Sequence, residues 1–377
     1  MRTPQPVLAR LFTAGLAALM FNACAEADTE SGSGGDPDAA RGPDACCDAP
    51  TPDAGPTPDA RVPAADAAMR PDAGDPAADA GAAPDPDAAV AEPDAAVEGR
   101  RDQDLPGGDA AGVWCGNITL RATVTVPAGQ VLTVCAGSEV RATGGGATAL
   151  VVLGTLQIRG TDEAPVRLLA DGAWRGLRVG GVLDAEHFEV SGAANGIEGA
   201  PGGQIDVRHA RIAECDRGIT LADGGRFAYT TVLGGSAIQV SGGVLQMTDS
   251  VIDLQHPTRS PDCTNFDGGG ATLDHVRFTG CHCPLHINAA PDGVRISASI
   301  FDGATNPVMI AQTEADLRGN HFEGTDAHLL DIGGGFRADI TGSYFGGGAP
   351  RLSSRNQAQF VGAAAFSATP IPGVGPR

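Results

Sequence analysis

The chain from about residue 113 onward predicts an all-β solenoid of stacked parallel coils, and three observations carry that expectation. First, a six-residue signature recurs, with a large apolar residue at its start and a bulky apolar residue at its end. It reads Leu183 to Phe188, Val207 to Ile212, Ala228 to Leu233, Met247 to Ile252, Leu273 to Phe278, Ile296 to Phe301, Leu317 to Phe322 and Ile340 to Phe345. Successive starts lie 24, 21, 19, 26, 23, 21 and 23 residues apart. A repeat of that length is one supersecondary unit, which cannot bury a core alone and therefore stacks on its neighbours. Second, apolar and polar residues alternate within each unit, as in Ile296-Ser-Ala-Ser-Ile-Phe301 and Ile340-Thr-Gly-Ser-Tyr-Phe345. That period is two, the period of a strand, where a helix would show 3.6. Third, a glycine turn closes the signature at Thr279-Gly280, Asp302-Gly303, Glu323-Gly324 and Gly346-Gly347, because glycine reaches positive φ without a steric penalty.

A second short apolar run completes many units: Gly218-Ile-Thr-Leu221, Pro284-Leu-His-Ile287, Pro307-Val-Met-Ile310 and His328-Leu-Leu-Asp-Ile332. Two or three short strands with glycine-rich corners per twenty-odd residues describe one coil of a parallel β-helix. The Leu-x-x-Leu-x-Leu pattern of leucine-rich repeats is absent, and helical repeats fit neither the period nor the glycines.

Before the solenoid the sequence concerns address and reach. Residues 1–24 read as a signal peptide: Arg2 and Arg10 make a basic start, and Leu11 to Phe21 is an apolar run too short to span a bilayer. It ends Phe21-Asn-Ala-Cys24, which resembles a degenerate lipobox whose cysteine would carry a lipid. Cys24 is then the lipidation site, and Ala25 after it permits sorting to the outer membrane; ordinary cleavage and secretion is the alternative. Residues 25–112 form a low-complexity linker in which Pro-Asp-Ala recurs at 37, 43, 52, 58, 71, 86 and 93. It holds 21 acidic residues against five arginines, so −16 of the total −21 resides there. With so little apolar surface it is expected to stay disordered, and proline with like charge extends it into a spacer. Its aspartates could sequester calcium, but a solvated spacer is the plainer reading. The acidity argues against a nucleic-acid partner. The remaining chain has 25 acidic residues and 18 arginines, and the whole chain has no lysine, which excludes Schiff-base chemistry.

The cysteines suit an oxidising compartment. Cys115 and Cys135 lie twenty residues apart, about one coil, so in register they sit ~4.8 Å from each other, within reach of a disulfide. Cys263 falls in the insertion of the longest coil and is expected to bond Cys281 or Cys283. Cys215 shares a column with Cys281 three coils away, ~14 Å, too far to bond, and reads as a buried thiol. Cys46 and Cys47 pair between chains or with each other.

Polar chemistry concentrates around that insertion: Asp249, His256, Asp267, Asp274, His275, Cys281, His282, Cys283 and His286. The column count stacks Asp249 against His275 and His256 against His282. A zinc site built from His256, Cys281, His282, Cys283 and His286 is one candidate, since Cys and His are its ligands; a disulfide-pinned loop with surface histidines is the other. Ser250, Ser299, Asn320 and Ser343 are expected to form an inward polar ladder, and Phe278, Phe301, Phe322 and Phe345 a core column. Residues 357–366 are expected to cover the last coil, and the Pro/Gly tail, 367–377, to fray.

With these motifs the chain resembles the bacterial right-handed parallel β-helix proteins related in fold to pectate lyase, here with about eleven coils over 113–366. Gly160-Thr-Asp-Glu-Ala-Pro-Val166 followed by Ala173-Trp-Arg-Gly-Leu177 is similar to the opening coils of surface β-helix domains. Asn265-Phe-Asp-Gly268 resembles the Asn-Thr-Asp-Gly of polygalacturonases, and Leu273-Asp-His275 the Asp-His strand of pectate lyases. The resemblance thus implies a catalytic alternative on Asp249, Asp267, Asp274 and His275, with calcium in the lyase case. The second acidic pair, the Gly-His-Gly and the Arg-x-Lys of the hydrolases are missing, and Pro350-Arg-Leu-Ser-Ser-Arg355 has the lyase arginine spacing shifted. The expected function is therefore a non-catalytic envelope element that binds glycan, matrix or protein, with no cofactor, and with a polysaccharide-active enzyme and a passive spacer as alternatives.

Overall fold

The computed structural model describes residues 102–235, 238–255, 262–304, 306–324, 328–331, 336–353 and 359–377. Among them the regular elements are strands, and every pairing between strands is parallel. They form a parallel β-solenoid of about ten turns between residues 112 and 361. The signal peptide, Cys24, residues 25–101 of the linker with Cys46 and Cys47, and His256 lie outside the described residues.

Each coil has three faces. A second face carries twelve strands, from Gly108–Asp109 through Thr264–Phe266 to Arg351–Leu352. The first and third faces join in one sheet of nineteen strands. In the opening coils these two faces use separate strands, such as Asn117–Leu120 and Val131–Cys135. From Val182–Ser191 onward a single ten-residue strand can run along the third face, turn a sharp corner, and continue along the first face of the next coil, as in Gln204–Ala213, Val244–Asp253 and Gly270–Thr279.

The corner has a fixed local conformation. His187, His209, Tyr229, Asp249, His275 and Ala298 have φ between 47° and 56°, and Gly319 and Gly342 follow at 69° and 73°. The registers Glu186↔Arg208, Arg208↔Ala228, Thr248↔Asp274 and Asp274↔Ser297 put these residues in one column. One left-handed residue per coil bends the strand without ending it, and Asp, His and Gly tolerate that region better than β-branched residues do.

The residue after the corner points inward. Ser250, Ser299, Asn320 and Ser343 are buried, and each accepts a backbone N–H from the coil before: Thr230 N to Ser250 Oγ (3.0 Å), Val276 N to Ser299 Oγ (3.0 Å), Ser299 N to Asn320 Oδ1 (2.9 Å), Asn320 N to Ser343 Oγ (3.2 Å). The expected polar ladder is therefore present, and it replaces ladder bonds that the bend removes. Two residues further on, Phe278, Phe301, Phe322 and Phe345 stack with ring centroids 5.0, 4.7 and 4.7 Å apart. Fully burying one such side chain contributes roughly 1.5–3 kcal/mol.

Several sequence expectations need correction. Phe227, not Ala228, pairs with Met247, and Ala185, not Leu183, pairs with Val207. A two-residue shift keeps the same face, since Leu183 and Ala185 are both buried, whereas the one-residue slip at Ala228 would turn Phe227 outward. Part of the expected linker is ordered: Gln103–Leu105 pairs with Ile118, Thr119 and Leu120, and Gly108–Asp109 with Val124 and Thr125. The tail does not fray. Ser367 bridges Tyr344, the Ile371 N–H donates to His321 Nε2 (2.7 Å), and the Gly375 N–H donates to the Ala298 carbonyl (2.7 Å). Its prolines cost the unfolded chain little entropy to order, and Gly375 fits where an added Cβ would lie 2.7 Å from Ile300 Cδ1. Phe360–Val361 pairs with Ala338 and Asp339 and so covers the last coil, as expected.

Both expected disulfides form. Cys115–Cys135 joins adjacent coils with a Cα separation of 5.0 Å beside buried Trp114, and Cys263 bonds Cys281 at 5.6 Å. Cys215 and Cys283 are free and buried; burial pushes the Cys215 thiol up to about 11 and raises Cys283 well above its ordinary value.

Candidate functional site

The polar residues singled out in the sequence divide into two groups on different parts of the coil. The first group lies beside the 262–267 segment on the second face. The Asp262 carboxylate is 2.6 Å from His286 Nδ1 and 3.8 Å from His282 Nδ1, and His282 Nε2 is 3.2 Å from Asn306 Nδ2. The hydrogen bond with Asp262 raises His286 above the ordinary histidine value, against the opposing effect of burial. Asp267 accepts from Asn288 Nδ2 (2.8 Å) and Gln239 Nε2 (3.3 Å).

The second group sits at the corner. His275 is buried, and its Nδ1 lies 2.8 Å from Asp274 Oδ2. Asp274 also accepts from Ser297 Oγ (2.7 Å). The Arg377 guanidinium hydrogen-bonds His275 Nε2, and the Arg377 backbone N–H donates to Asp249 Oδ1 (3.3 Å). Because Nε2 accepts from the guanidinium, the imidazole proton resides on Nδ1, facing Asp274. Burial works to raise the Asp274 carboxyl, yet the hydrogen bonds from Ser297 and His275 and the charge of Arg377 together bring it below its usual value.

Asp249 and His275 are therefore corner neighbours, as the column count expects, and Asp274 joins them. Asp267 does not. It precedes the straight run Gly270 to Asp274, ~13 Å of extended backbone, and its partners lie on the second face. Glycosidases need carboxylates ~5–5.5 or ~6.5–9.5 Å apart, so the four residues do not form one catalytic set. The zinc candidate is divided too. Cys281 is in a disulfide, and Cys283 is buried with its thiol toward the Leu285 carbonyl (3.2 Å). That leaves His282 and His286 around Asp262.

The sequence reading missed a third group on the same corner, further upstream. The His187 and His209 rings are parallel with centroids 4.4 Å apart, and His209 stacks on Tyr229 at 4.7 Å. His187 Nδ1 is 3.0 Å from Asp162 Oδ1, and its Nε2 is 3.6 Å from Glu186 Oε1. The signal lay two residues after each true signature start, and it was hidden because two of the starts were misplaced. The tail covers Asp249, His275 and Ala298 but stops short of Tyr229, His209 and His187 among its recorded contacts.

The outer faces are paired with themselves. Arg159–Asp184, Arg178–Glu198, Arg211–Glu189, Arg226–Asp206, Arg277–Asp302 and Arg295–Asp316 join neighbouring coils. Among the described residues, exposed large apolar side chains are few: Val113, Val131, Leu153 and Tyr229. Comparison with protein-family models, with curated proteins and with solved structures gave no match.

Proposed function

We propose that the chain is a cell-envelope protein, anchored through a lipid on Cys24, whose solenoid acts without catalysis as a binding or structural surface. The supporting observation is the character of the long faces. Their arginines and carboxylates run in cross-coil pairs, and they offer little apolar area, which suits many shallow polar contacts with a glycan or a hydrophilic protein better than apolar docking. Two disulfides agree with life outside the cytoplasm. The reading takes the solenoid as right-handed and related in fold to pectate lyase, and takes residues 25–101 as the tether that holds it off the outer membrane.

The test incubates the protein with acidic and neutral polysaccharides, with and without calcium, and reads retention and chain cleavage from the same samples. Retention without cleavage is the expected result. A second reading, a polysaccharide-active enzyme, rests on the Asp249–Asp274–His275 group. Cleavage that disappears in Asp274→Ala would replace the binding role with that one, and silence across the panel would favour a spacer or a protein ligand. Labelling with radioactive palmitate tests the anchor: label is expected in the wild type and not in Cys24→Ala, and an unlabelled wild type removes it.

A further inference from the structure

We propose that the upstream corner is a binding site for one divalent transition ion of the zinc class, held by His187, His209 and Glu186. One ligand atom from each of these residues lies within 4.8 Å of the others. His187 Nε2 and Glu186 Oε1 are already 3.6 Å apart, close to the ~3.4 Å edge of a tetrahedron with bonds of about 2.1 Å.

The fold itself sets this spacing. His187 and His209 occupy the same left-handed corner position in successive coils, so their backbones are fixed one strand spacing apart, ~4.8 Å. The shared corner conformation sends both rings the same way, and they lie parallel within 3°. In that pose the two ring planes do not both point at one ion. His209 is exposed, and its ring nitrogens make no hydrogen bond among those of the described residues, so rotation about its terminal torsion can turn a lone pair toward His187 Nε2.

A carboxylate behind the histidine completes the arrangement. Asp162 Oδ1 lies 3.0 Å from His187 Nδ1. In metal sites that position keeps the proton on Nδ1, leaves Nε2 as the ligand and makes it more basic. Plain ring stacking would account for the parallel rings of His187, His209 and Tyr229. It does not account for carboxylates at both nitrogens of His187, which together mark the two sides of a metal-binding imidazole. Two imidazoles and one carboxylate suit zinc, nickel or cobalt, and suit calcium poorly because it takes oxygen ligands. Three protein ligands leave a fourth position for water or for a group on a bound partner.

The test titrates the full-length protein with zinc chloride by calorimetry, with calcium chloride as the contrast, and records the visible spectrum with cobalt. One zinc per chain at this site is expected, with the intense visible bands of tetrahedral cobalt. His187→Ala and His209→Ala should each weaken zinc at least tenfold, and Asp162→Asn should weaken it ~10–100-fold. Tyr229→Ala and His286→Gln should leave it unchanged, and circular dichroism of every variant checks that the strands persist. Zinc binding that survives His187→Ala with His209→Ala, that depends on His286, or that fails to occur up to about 1 mM metal would overturn the assignment. Equal binding of calcium would overturn it as well.

Discussion

Upstream and downstream of residue 236 the same coil is built with different chemistry. The upstream core is mainly aliphatic, with Ile118, Leu132, Leu150, Leu156, Leu177 and Ile197 fully enclosed. The downstream core adds the phenylalanine stack and a ladder of buried polar side chains: Ser250, Ser299, Asn320 and Ser343. The corner differs in parallel. Upstream it carries rings at His187, His209 and Tyr229; downstream it holds Asp249 and His275 and then shrinks to Ala298, Gly319 and Gly342, and the tail lies there. An aliphatic interior accepts several registers at similar cost. A buried amide or hydroxyl accepts only the register that satisfies it, because an orphaned buried polar group costs ~1–3 kcal/mol.

The largest expected effect tests the two cores against each other. Phe301→Ala should cost ~3–5 kcal/mol, and upstream Ile212→Ala ~2–5 kcal/mol. The discriminating quantity is coupling. Phe301 and Phe322 stack at 4.7 Å, so the double variant should depart from additivity by about 0.5–1.5 kcal/mol. Strict additivity in denaturant unfolding would mean that the stack is packing alone.

Next comes the ladder. Asn320 accepts from the Ser299 N–H and donates to the carbonyls of Ile296 (2.8 Å) and Leu317 (2.7 Å). Asn320→Ala removes all three bonds, although the Leu317 carbonyl keeps the Ser343 hydroxyl (2.9 Å), and should cost at least ~1–3 kcal/mol. The Thr230 hydroxyl donates to the Ala228 carbonyl at 3.2 Å, so Thr230→Ala should cost closer to ~1 kcal/mol. Equal losses would remove the distinction between the two halves.

This difference explains what could be read in the sequence. Alternation, spacing and glycine turns exposed the coil, and stacking one coil on the next placed Cys115 on Cys135 and Asp249 beside His275. The signature starts at Met247, Leu273, Ile296, Leu317 and Ile340 were in true register, and four of those coils carry a small polar residue at the ladder position. The misplaced start at Leu183 fell in a coil whose ladder position holds Phe188, where apolar alternation allows a two-residue slip, and the one at Ala228 fell in a coil that keeps buried Thr230 there. The tail was illegible for a different reason. Pro370-Ile-Pro-Gly-Val-Gly-Pro-Arg377 has no periodicity, and its docking depends on single hydrogen bonds to His321, Ala298 and Asp249 that no local pattern announces.

A smaller effect separates the two stretches of the corner. Gly375 has φ +102° and packs against Ile300, so Gly375→Leu should release the tail. The expected loss is ~1–2 kcal/mol, or about 2–4 °C in Tm for a domain of this size. Modification with diethyl pyrocarbonate should then speed up at His275 and His321, which are buried in the wild type, and stay unchanged at exposed His209. Unchanged reactivity at His275 would mean that the tail does not shield it.

The smallest expected effects are pH-dependent, and they separate the second-face group from the corner. His286 is raised by its hydrogen bond to Asp262, so the folded state favours the protonated ring. That contribution is fully present below the unfolded histidine pKa and is lost as pH rises through the higher folded value. Asp274 is lowered, so its contribution is present above the unfolded carboxyl pKa and is lost as pH falls through the folded one. The Asp274 carboxylate is close to half exposed, and solvent screening makes its share the weaker of the two. Asp262→Asn should move the His286 titration, followed by NMR, down toward the ordinary histidine value and remove the fall in stability above neutrality. It should leave the loss at acid pH in place, because that loss belongs to Asp274 and its partners Ser297, His275 and Arg377. A single variant that abolished both limbs would show that the two groups titrate as one site, against the separation that the geometry gives them.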